Sequence, residues 1–356
     1  MGSGAASLVV AAGLSSSRTS ALGGHTHHAT IAKVGMINIA AGINQARAWV
    51  RLAWLADLVW GWVVDKDCYS AAVRLELHCH STCSDGSLPP EQIAARAGNY
   101  GVELFCLTDH DTMAGCERTA AALPEVRVLR GLELSCKHEG RTIHLLVWGV
   151  GEGPGRERLE LQLVEQHRLR RERITAICER LASCGIQLDP EPILAGAAGR
   201  IPGRPDVARA LVEAGICNSP RDAFDRFLSD EGPANVPVPG ISLAEGLALG
   251  RATGARMGLA HPHTLKHFAV VKSLFHEFRD AGLEGIEAYY GTVSPAHAEG
   301  WLRLASELDL IVTAGSDFHG ELVGVTRQPG IELPARHVAR LREWFEGVPG
   351  LEHRPV

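Results

Sequence analysis

Residues of the kind that bind metal recur at the ends of apolar runs along most of this chain. His78, His80, Asp85, His110, Glu133, His144, His261, Asp317 and His319 each stand at or near the C-terminal end of a segment that reads as a β-strand. Between most of these segments lie stretches with helical periodicity, so the chain calls for an α/β fold built from repeated strand, turn and helix. Nine imidazoles and carboxylates in such positions exceed what a structural role needs.

The first of the segments is Leu75-Glu76-Leu77-His78-Cys79-His80-Ser81-Thr82-Cys83-Ser84-Asp85-Gly86. Successive side chains of a strand point to opposite faces, so His78 and His80 share one face and Leu77 and Cys79 the other. The Ser/Asp/Gly turn that follows can fold the Asp85 carboxylate back toward the two imidazoles. Cys79 faces away and, like Cys106, reads as core. Nine cysteines, an odd number with no Cys-x-x-Cys pair, suggest neither a disulfide framework nor a zinc ribbon and favour the cytoplasm. A net charge of -6 argues against a protein that binds polyanions through overall charge.

Residues 1–72 differ in composition from the remainder and read as a poorly ordered extension. They hold the His25-Thr26-His27-His28 run and a Trp-rich stretch, Ala48 to Val64, too short and too interrupted by Arg51 and Asp57 for the ~20 apolar residues a spanning helix needs. The compact domain is expected to begin near Val73, with a first strand-and-helix part over 73–155. Strands are expected at 103–108, 126–134 and 142–150, the last two joined through Glu139-Gly140. Residues 156–250 read as a helical insertion, with Leu159, Leu163, Ile174, Ile177 and Leu181 on one face. Its run His167-Arg168-Leu169-Arg170-Arg171-Glu172-Arg173 reads first as a solvated helix face with Arg168 near Glu165, and second as an RNA-backbone contact. Residues 251–356 read as a second strand-and-helix part, with strands at 256–260, 285–290 and 309–313 and a closing helix at 335–346.

Mixed imidazole and carboxylate ligands suit Mn²⁺, with Fe²⁺ or Zn²⁺ as alternatives, whereas a magnesium site would use oxygen almost alone. Nine ligands are too many for one ion and fit two or three, with Glu133 as the candidate bridge. Such a cluster lowers the pKa of a water to make hydroxide near neutral pH and neutralises a bound phosphate. Phosphoester hydrolysis needs both.

His-x-His at 78–80, Thr108-Asp109-His110, Gly131-Leu132-Glu133, Ile143-His144, Ala260-His261-Pro262 and Ser316-Asp317-x-His319, in that order, resemble the motif set of the polymerase and histidinol phosphatase (PHP) superfamily. The resemblance implies a distorted (β/α)7 barrel, a PHP-type TIM-like barrel with an inserted helical subdomain, and a trinuclear metal site at the strand C-termini. It implies a phosphoesterase in which metal-activated hydroxide attacks phosphorus. Asp317, His261 and His319 are the catalytic candidates, the two histidines as donors of the leaving-group proton. Gly203-Arg204-Pro205 and the helical insertion are similar to the bacterial members that hydrolyse 3',5'-nucleotide bisphosphates and trim short RNA from its 5' end. By that similarity Arg204 contacts a substrate phosphate. Arg200 and His263 are further substrate candidates. Two positions depart from those relatives: Asp206 stands where His is common after Gly-Arg-Pro, and His263-Thr264 where Gly-Arg commonly follows Ala-His-Pro. Glu287 reads either as a support for the site or as a structural partner. The expected partner is a phosphorylated small molecule, a nucleotide or a short oligonucleotide, with no duplex DNA and no membrane. The alternatives are a phosphatase for a small metabolite such as histidinol phosphate, and a catalytically idle metal-binding interaction module.

Overall fold

Strand closure in this molecule is made by the site residues themselves. The computed structural model describes residues 72–351 apart from 198, 238–239, 292–294, 321–325 and 327, so the expectations for residues 1–71 lie outside the described residues. Strands β1 (Val73–Glu76), β2 (Leu104–Leu107) and β3 (Arg127–His138) run parallel, and β4 (Arg141–Trp148) returns antiparallel from β3. After a two-residue strand β5 (Ile241–Ser242) laid beside the end of β3, β6 (Arg256–Leu259) pairs antiparallel with β4, and β7 (Leu283–Tyr290) and β8 (Ile311–Gly315) continue parallel. The two ends of this path meet just past β1 and β8. There the Cys79–Phe318 bridge forms, His80 N donates to Phe318 O at 2.9 Å, and Asp317 N donates to His78 O at 2.7 Å. The sheet is thus nearly closed into a seven-strand barrel, with β9 (Ile331–Leu333) added antiparallel to β1. This is the distorted (β/α)7 barrel that the motif set implies.

Helices α1 (Pro90–Asn99) and α2 (Cys116–Ala122) follow β1 and β2. Prolines at 89 and 90 open α1, and Gly101, at φ 77°, ends the turn beyond it. Between β3 and β4 there is no helix. Glu139 and Gly140, both at positive φ, turn the chain in two residues, so β3 stays paired with β4 out to His138, four residues past the expected end. That extension carries the paired strand through Ser135 and Lys137, beyond Glu133.

Helix α3 (Pro154–Ser183) contributes to two cores. Its first half packs Leu159 and Leu163 into the barrel core, while Ile174, Ile177 and Leu181 pack into a second cluster with Val207, Leu211 and Leu228. That cluster also takes α4 (Pro190–Gly196), α5 (Arg204–Glu213) and α6 (Pro220–Ala223), the last continuing into a π turn over Phe224–Leu228. Helix α7 (Leu243–Ala252) returns to the barrel through Leu243 and Leu247. Helices α8 (Phe268–Phe278), α9 (Pro295–Glu307) and α10 (Ala335–Trp344) complete the outer layer. Among the described residues no helix is long and apolar enough to cross a membrane.

Candidate metal centre

Backbone closure places the first and last motifs side by side. His78 and His80 lie just beyond β1, and Asp317 and His319 just beyond β8. Their two chains approach so closely that a Cβ on Gly315 would stand 2.3 Å from His78 Cβ and 2.6 Å from Glu287 Oε1. The turn after His80 is equally tight, because a Cβ on Gly86 would meet His80 O at 2.2 Å. Asp109 anchors that turn by accepting from Ser81 N, Ser81 Oγ and Ser84 Oγ at 2.7, 2.7 and 2.6 Å. Asp85 is thereby folded back, 3.7 Å from His80 Nδ1, 3.8 Å from His110 Nε2 and 3.4 Å from His319 Nε2.

All nine ligand-type residues converge, and Glu133 is the hub. Its Oε2 lies 3.3 Å from His78 Nε2, 3.2 Å from His80 Nε2 and 3.0 Å from His110 Nδ1. Its Oε1 lies 2.8 Å from His144 Nδ1 and 2.9 Å from His261 Nε2. Asp317 Oδ1 completes the first group, 3.3 Å from His78 Nε2 and 3.2 Å from His80 Nε2. Three sets of ligand atoms close enough to hold an ion emerge: His78, His80 and Glu133; His80, Asp85, His110 and His319; and His110, Glu133 and His144.

The hydrogen bonds around the cluster fix which ring nitrogens face it. His78 Nδ1 donates to Glu287 Oε1 at 2.9 Å, and His319 Nδ1 donates to Asp317 O at 2.9 Å. His261 Nδ1 lies 3.2 Å from Thr264 Oγ1, which itself donates to His261 O, so the ring nitrogen is the donor. In each ring the outer nitrogen meets a protein oxygen and Nε2 is left facing a carboxylate. Burial opposes protonation of His78, His261 and His319, yet the carboxylates around them raise all three above the ordinary imidazole value. The space between ring and carboxylate thus takes a cation, a proton in the free protein and a divalent ion in its place. Two contacts between ring nitrogens, His78 Nε2 to His80 Nε2 at 3.2 Å and His144 Nδ1 to His261 Nε2 at 3.3 Å, show the same convergence. His80 Nδ1 and His110 Nδ1 are buried without a hydrogen-bond partner, although His110 Nδ1 is 3.0 Å from Glu133 Oε2; the proximity lacks hydrogen-bond direction. The donor set therefore fits divalent ions.

Charge within the cluster is strongly coupled. Burial opposes ionisation of Glu133, yet His144, His110 and His78 outweigh it and hold its pKa well below the usual carboxylate range. Burial likewise opposes Asp317 and Asp85, and neighbouring imidazoles, His78 first for Asp317 and His319 first for Asp85, hold both well below that range. His110 goes the other way, and burial pushes it down to about 3.

Support comes from side chains outside the ligand set. Glu287, 1% exposed on β7, takes His78 Nδ1 on one oxygen and His261 N, at 2.7 Å, on the other. Glu76 receives His78 N, Ser316 N and Gly330 N at 3.0, 3.0 and 2.6 Å, together with Ser316 Oγ. Tyr290 Oη donates to Asp317 Oδ2 at 2.6 Å and leaves Oδ1 to the cluster. Positive φ at Asp111, His261 and Asp317, 52°, 26° and 50°, marks backbone strain concentrated here. Spacing from the ligand motifs is the one signal that points to Glu76; a supporting role was one of two readings of Glu287, and Tyr290 carries no signal beyond lying on the same strand.

None of the substrate candidates Arg204, Arg200 and His263 belongs to a ligand set of the cluster. Arg204 donates to Leu228 O and pairs with Asp230 at 2.8 Å. Arg200 is held by both oxygens of Asp206, which also takes Gly203 N at 2.9 Å at the start of α5. The residue that replaces the relatives' His therefore caps a helix and neutralises an arginine. His263 is exposed at the rim, its ring 6.2 Å from that of His261 and 4.7 Å from that of Tyr290. The reading of 167–173 as a solvated face holds for Arg168, which pairs with Glu165 and Glu172, and fails for Arg170 and Arg173. Helical period places those two on the inward side with Gln166 and Ile174, and both are 6% exposed.

Comparison with known proteins agrees with this geometry. The PHP domain model matches residues 76–181. A 5'-3' exoribonuclease of Haemophilus influenzae is 32% identical over 249 residues, which cover 69% of this chain and 90% of the relative. A 3',5'-nucleoside bisphosphate phosphatase of Chromobacterium violaceum is 29% identical over 69% of this chain and 87% of its own. Among solved structures, a Bifidobacterium adolescentis protein classed as a metal-dependent phosphoesterase superposes with a TM-score of 0.66 at 27% identity, covering 76% of this chain and 95% of that one.

Proposed function

The chain belongs to the PHP family of metal-dependent phosphoesterases, and from that premise we propose that it removes a phosphate from 3',5'-nucleotide bisphosphates and trims short 5'-phosphorylated RNA. The observation that carries the reading is the convergence of five histidines on Glu133, with Asp85, Asp317 and His319 joined to the same cluster through His78, His80 and His110. The names of the two sequence relatives, an exoribonuclease and a nucleoside bisphosphate phosphatase, supply the substrate class.

In this reading His78, His80, Glu133 and Asp317 hold one ion, Asp85, His110 and His319 a second, and Glu133, His144 and His261 a third. When bound, two or three divalent ions, Mn²⁺ foremost, neutralise the phosphate and lower the pKa of a water. Glu133 ties the groups together by presenting a different oxygen to each side. Glu287 orients His78 and fixes the backbone of His261, while Tyr290 keeps Asp317 turned inward. Asp317, His261 and His319 would act through the ions they hold, next to the reacting atoms. With Nδ1 of both histidines already donating and Nε2 turned inward, a water is the better source of the leaving-group proton than either ring. Free, mostly buried cysteines and a nucleotide substrate suit the cytoplasm.

The test is a substrate panel on the Mn²⁺-loaded protein: adenosine 3',5'-bisphosphate, a 5'-phosphorylated oligoribonucleotide and histidinol phosphate. Turnover of the first two at kcat/KM at least tenfold above the third is expected. Preference for histidinol phosphate assigns the metabolite phosphatase instead, and no hydrolysis of any phosphoester with ions bound would falsify the enzyme reading in favour of an idle module.

A further inference from the structure

Strand β3 carries a second feature above the metal cluster. Glu133, Ser135 and Lys137 alternate onto one face, and at ~3.3 Å per residue Lys137 stands about 13 Å up the strand from Glu133. Ser135 is occupied, since its Oγ accepts from Arg170 Nη2 at 2.6 Å while Arg170 Nε donates to Asp111 Oδ2 at 2.7 Å. Lys137 Nζ donates only to Thr142 Oγ1, at 2.8 Å. Facing it from α3 is Arg173, 6% exposed, whose Nε donates to Val236 O at 2.7 Å. Among the described residues neither Arg173 nor Lys137 has a carboxylate within ion-pair distance.

A buried guanidinium without a counter-ion is costly, and this one is surrounded by its own sign. Burial, then Arg204 and Arg170, push Arg173 down to about 9, and burial, then Arg173 and Arg170, lower Lys137. Asp230 is the one acid that acts on both, and it is already paired with Arg204 and largely exposed. The group is thus arranged for an anion that arrives from outside.

We propose that Arg173 and Lys137, backed by Arg170 and rimmed by Arg204, form a phosphate subsite that binds the substrate phosphate that is not hydrolysed: the other phosphate of a nucleotide bisphosphate, or the next backbone phosphate of a short RNA. This rests on the phosphoesterase reading above and puts the second-phosphate contact chiefly on Arg173 and Lys137, since the substrate candidates Arg204 and Arg200 are both paired with aspartates. A purely structural role, in which Arg173 only ties α3 to Val236, predicts no discrimination between substrates.

The test compares wild type, Arg173→Met, Arg173→Lys and Lys137→Met in the full Mn²⁺-loaded chain. The substrates are adenosine 3',5'-bisphosphate, the 3'- and 5'-monophosphates, and the 5'-phosphorylated dinucleotide pApA. In the Met variants the ratio of kcat/KM for bisphosphate or pApA to that for the monophosphate turned over should fall about ten- to a hundredfold, mainly through KM, with partial recovery in Arg173→Lys. A fall confined to the bisphosphate assigns the subsite to a terminal phosphate, and one confined to pApA to a backbone phosphate. An unchanged ratio overturns the proposal. Should Arg173→Met fail to fold, the half-buried Lys137→Met carries the same comparison. Should wild type hydrolyse none of these, the functional reading fails separately, and calorimetric affinity for adenosine 3',5'-bisphosphate still decides the subsite: weaker binding by Lys137→Met supports it, equal binding overturns it.

Discussion

Two candidate ligands from opposite sides of the barrel depend on Glu287. Its carboxylate sets the tautomer of His78 and holds the strained backbone of His261. In Glu287→Gln the amide oxygen can serve one partner, but the amide nitrogen then opposes the other donor. Metal affinity should fall about ten- to a hundredfold, the loss typical when a ligand's outer hydrogen bond is removed, and isothermal titration with Mn²⁺ measures it. His80→Ala removes a ligand outright and should cost bound metal and activity together, read by metal content and turnover. The ligands themselves were legible because each stands at the end of an apolar run, in motif order. Of their supports only Glu287 was legible, and only as an open choice, because an acid on a strand looks the same in sequence whether it meets an imidazole or a lysine, and Glu287 meets His78 across 209 positions. Arg173 was misread for a related reason: in a run with arginine at four of seven positions, composition says "surface", and only the helical phase of the neighbouring Ile174 and Ile177 says which arginines turn inward.

At the scale of elements, α3 shows how the insertion is attached. At 30 residues and ~1.5 Å per residue it is about 45 Å long, with its two halves in different cores. The helical face from Leu159 to Leu181 was readable from spacing; that it serves two partners was not, since both partners want the same residues. Ile177→Ala opens a cavity in the second core and should destabilise the protein by about 2–4 kcal/mol in urea unfolding, while Mn²⁺ affinity stays within about twofold because the ligands pack on the barrel. The β3–β4 hairpin was legible from Glu139-Gly140. Its consequence was not: pairing carried to His138 positions Lys137 over the site.

For the whole molecule, the barrel order follows from the strand and helix alternation together with the motif resemblance, and its closure past β1 and β8 is where sequence distance becomes spatial contact. A cluster of buried carboxylates and imidazoles on that seam means that metal and fold are thermodynamically linked. Chelation should lower the midpoint of thermal unfolding by roughly 5–10 °C relative to protein in Mn²⁺ at a hundredfold excess over its Kd. Scanning calorimetry with and without chelator checks this. The most direct test of the account is hydrolysis of adenosine 3',5'-bisphosphate by metal-free protein titrated with Mn²⁺, followed together with bound metal per chain, for wild type and His80→Ala. The account predicts phosphate release that rises with occupancy and saturates only after more than one ion is bound, and none in His80→Ala. Full activity in metal-free protein, or a filled site that releases no phosphate, contradicts it.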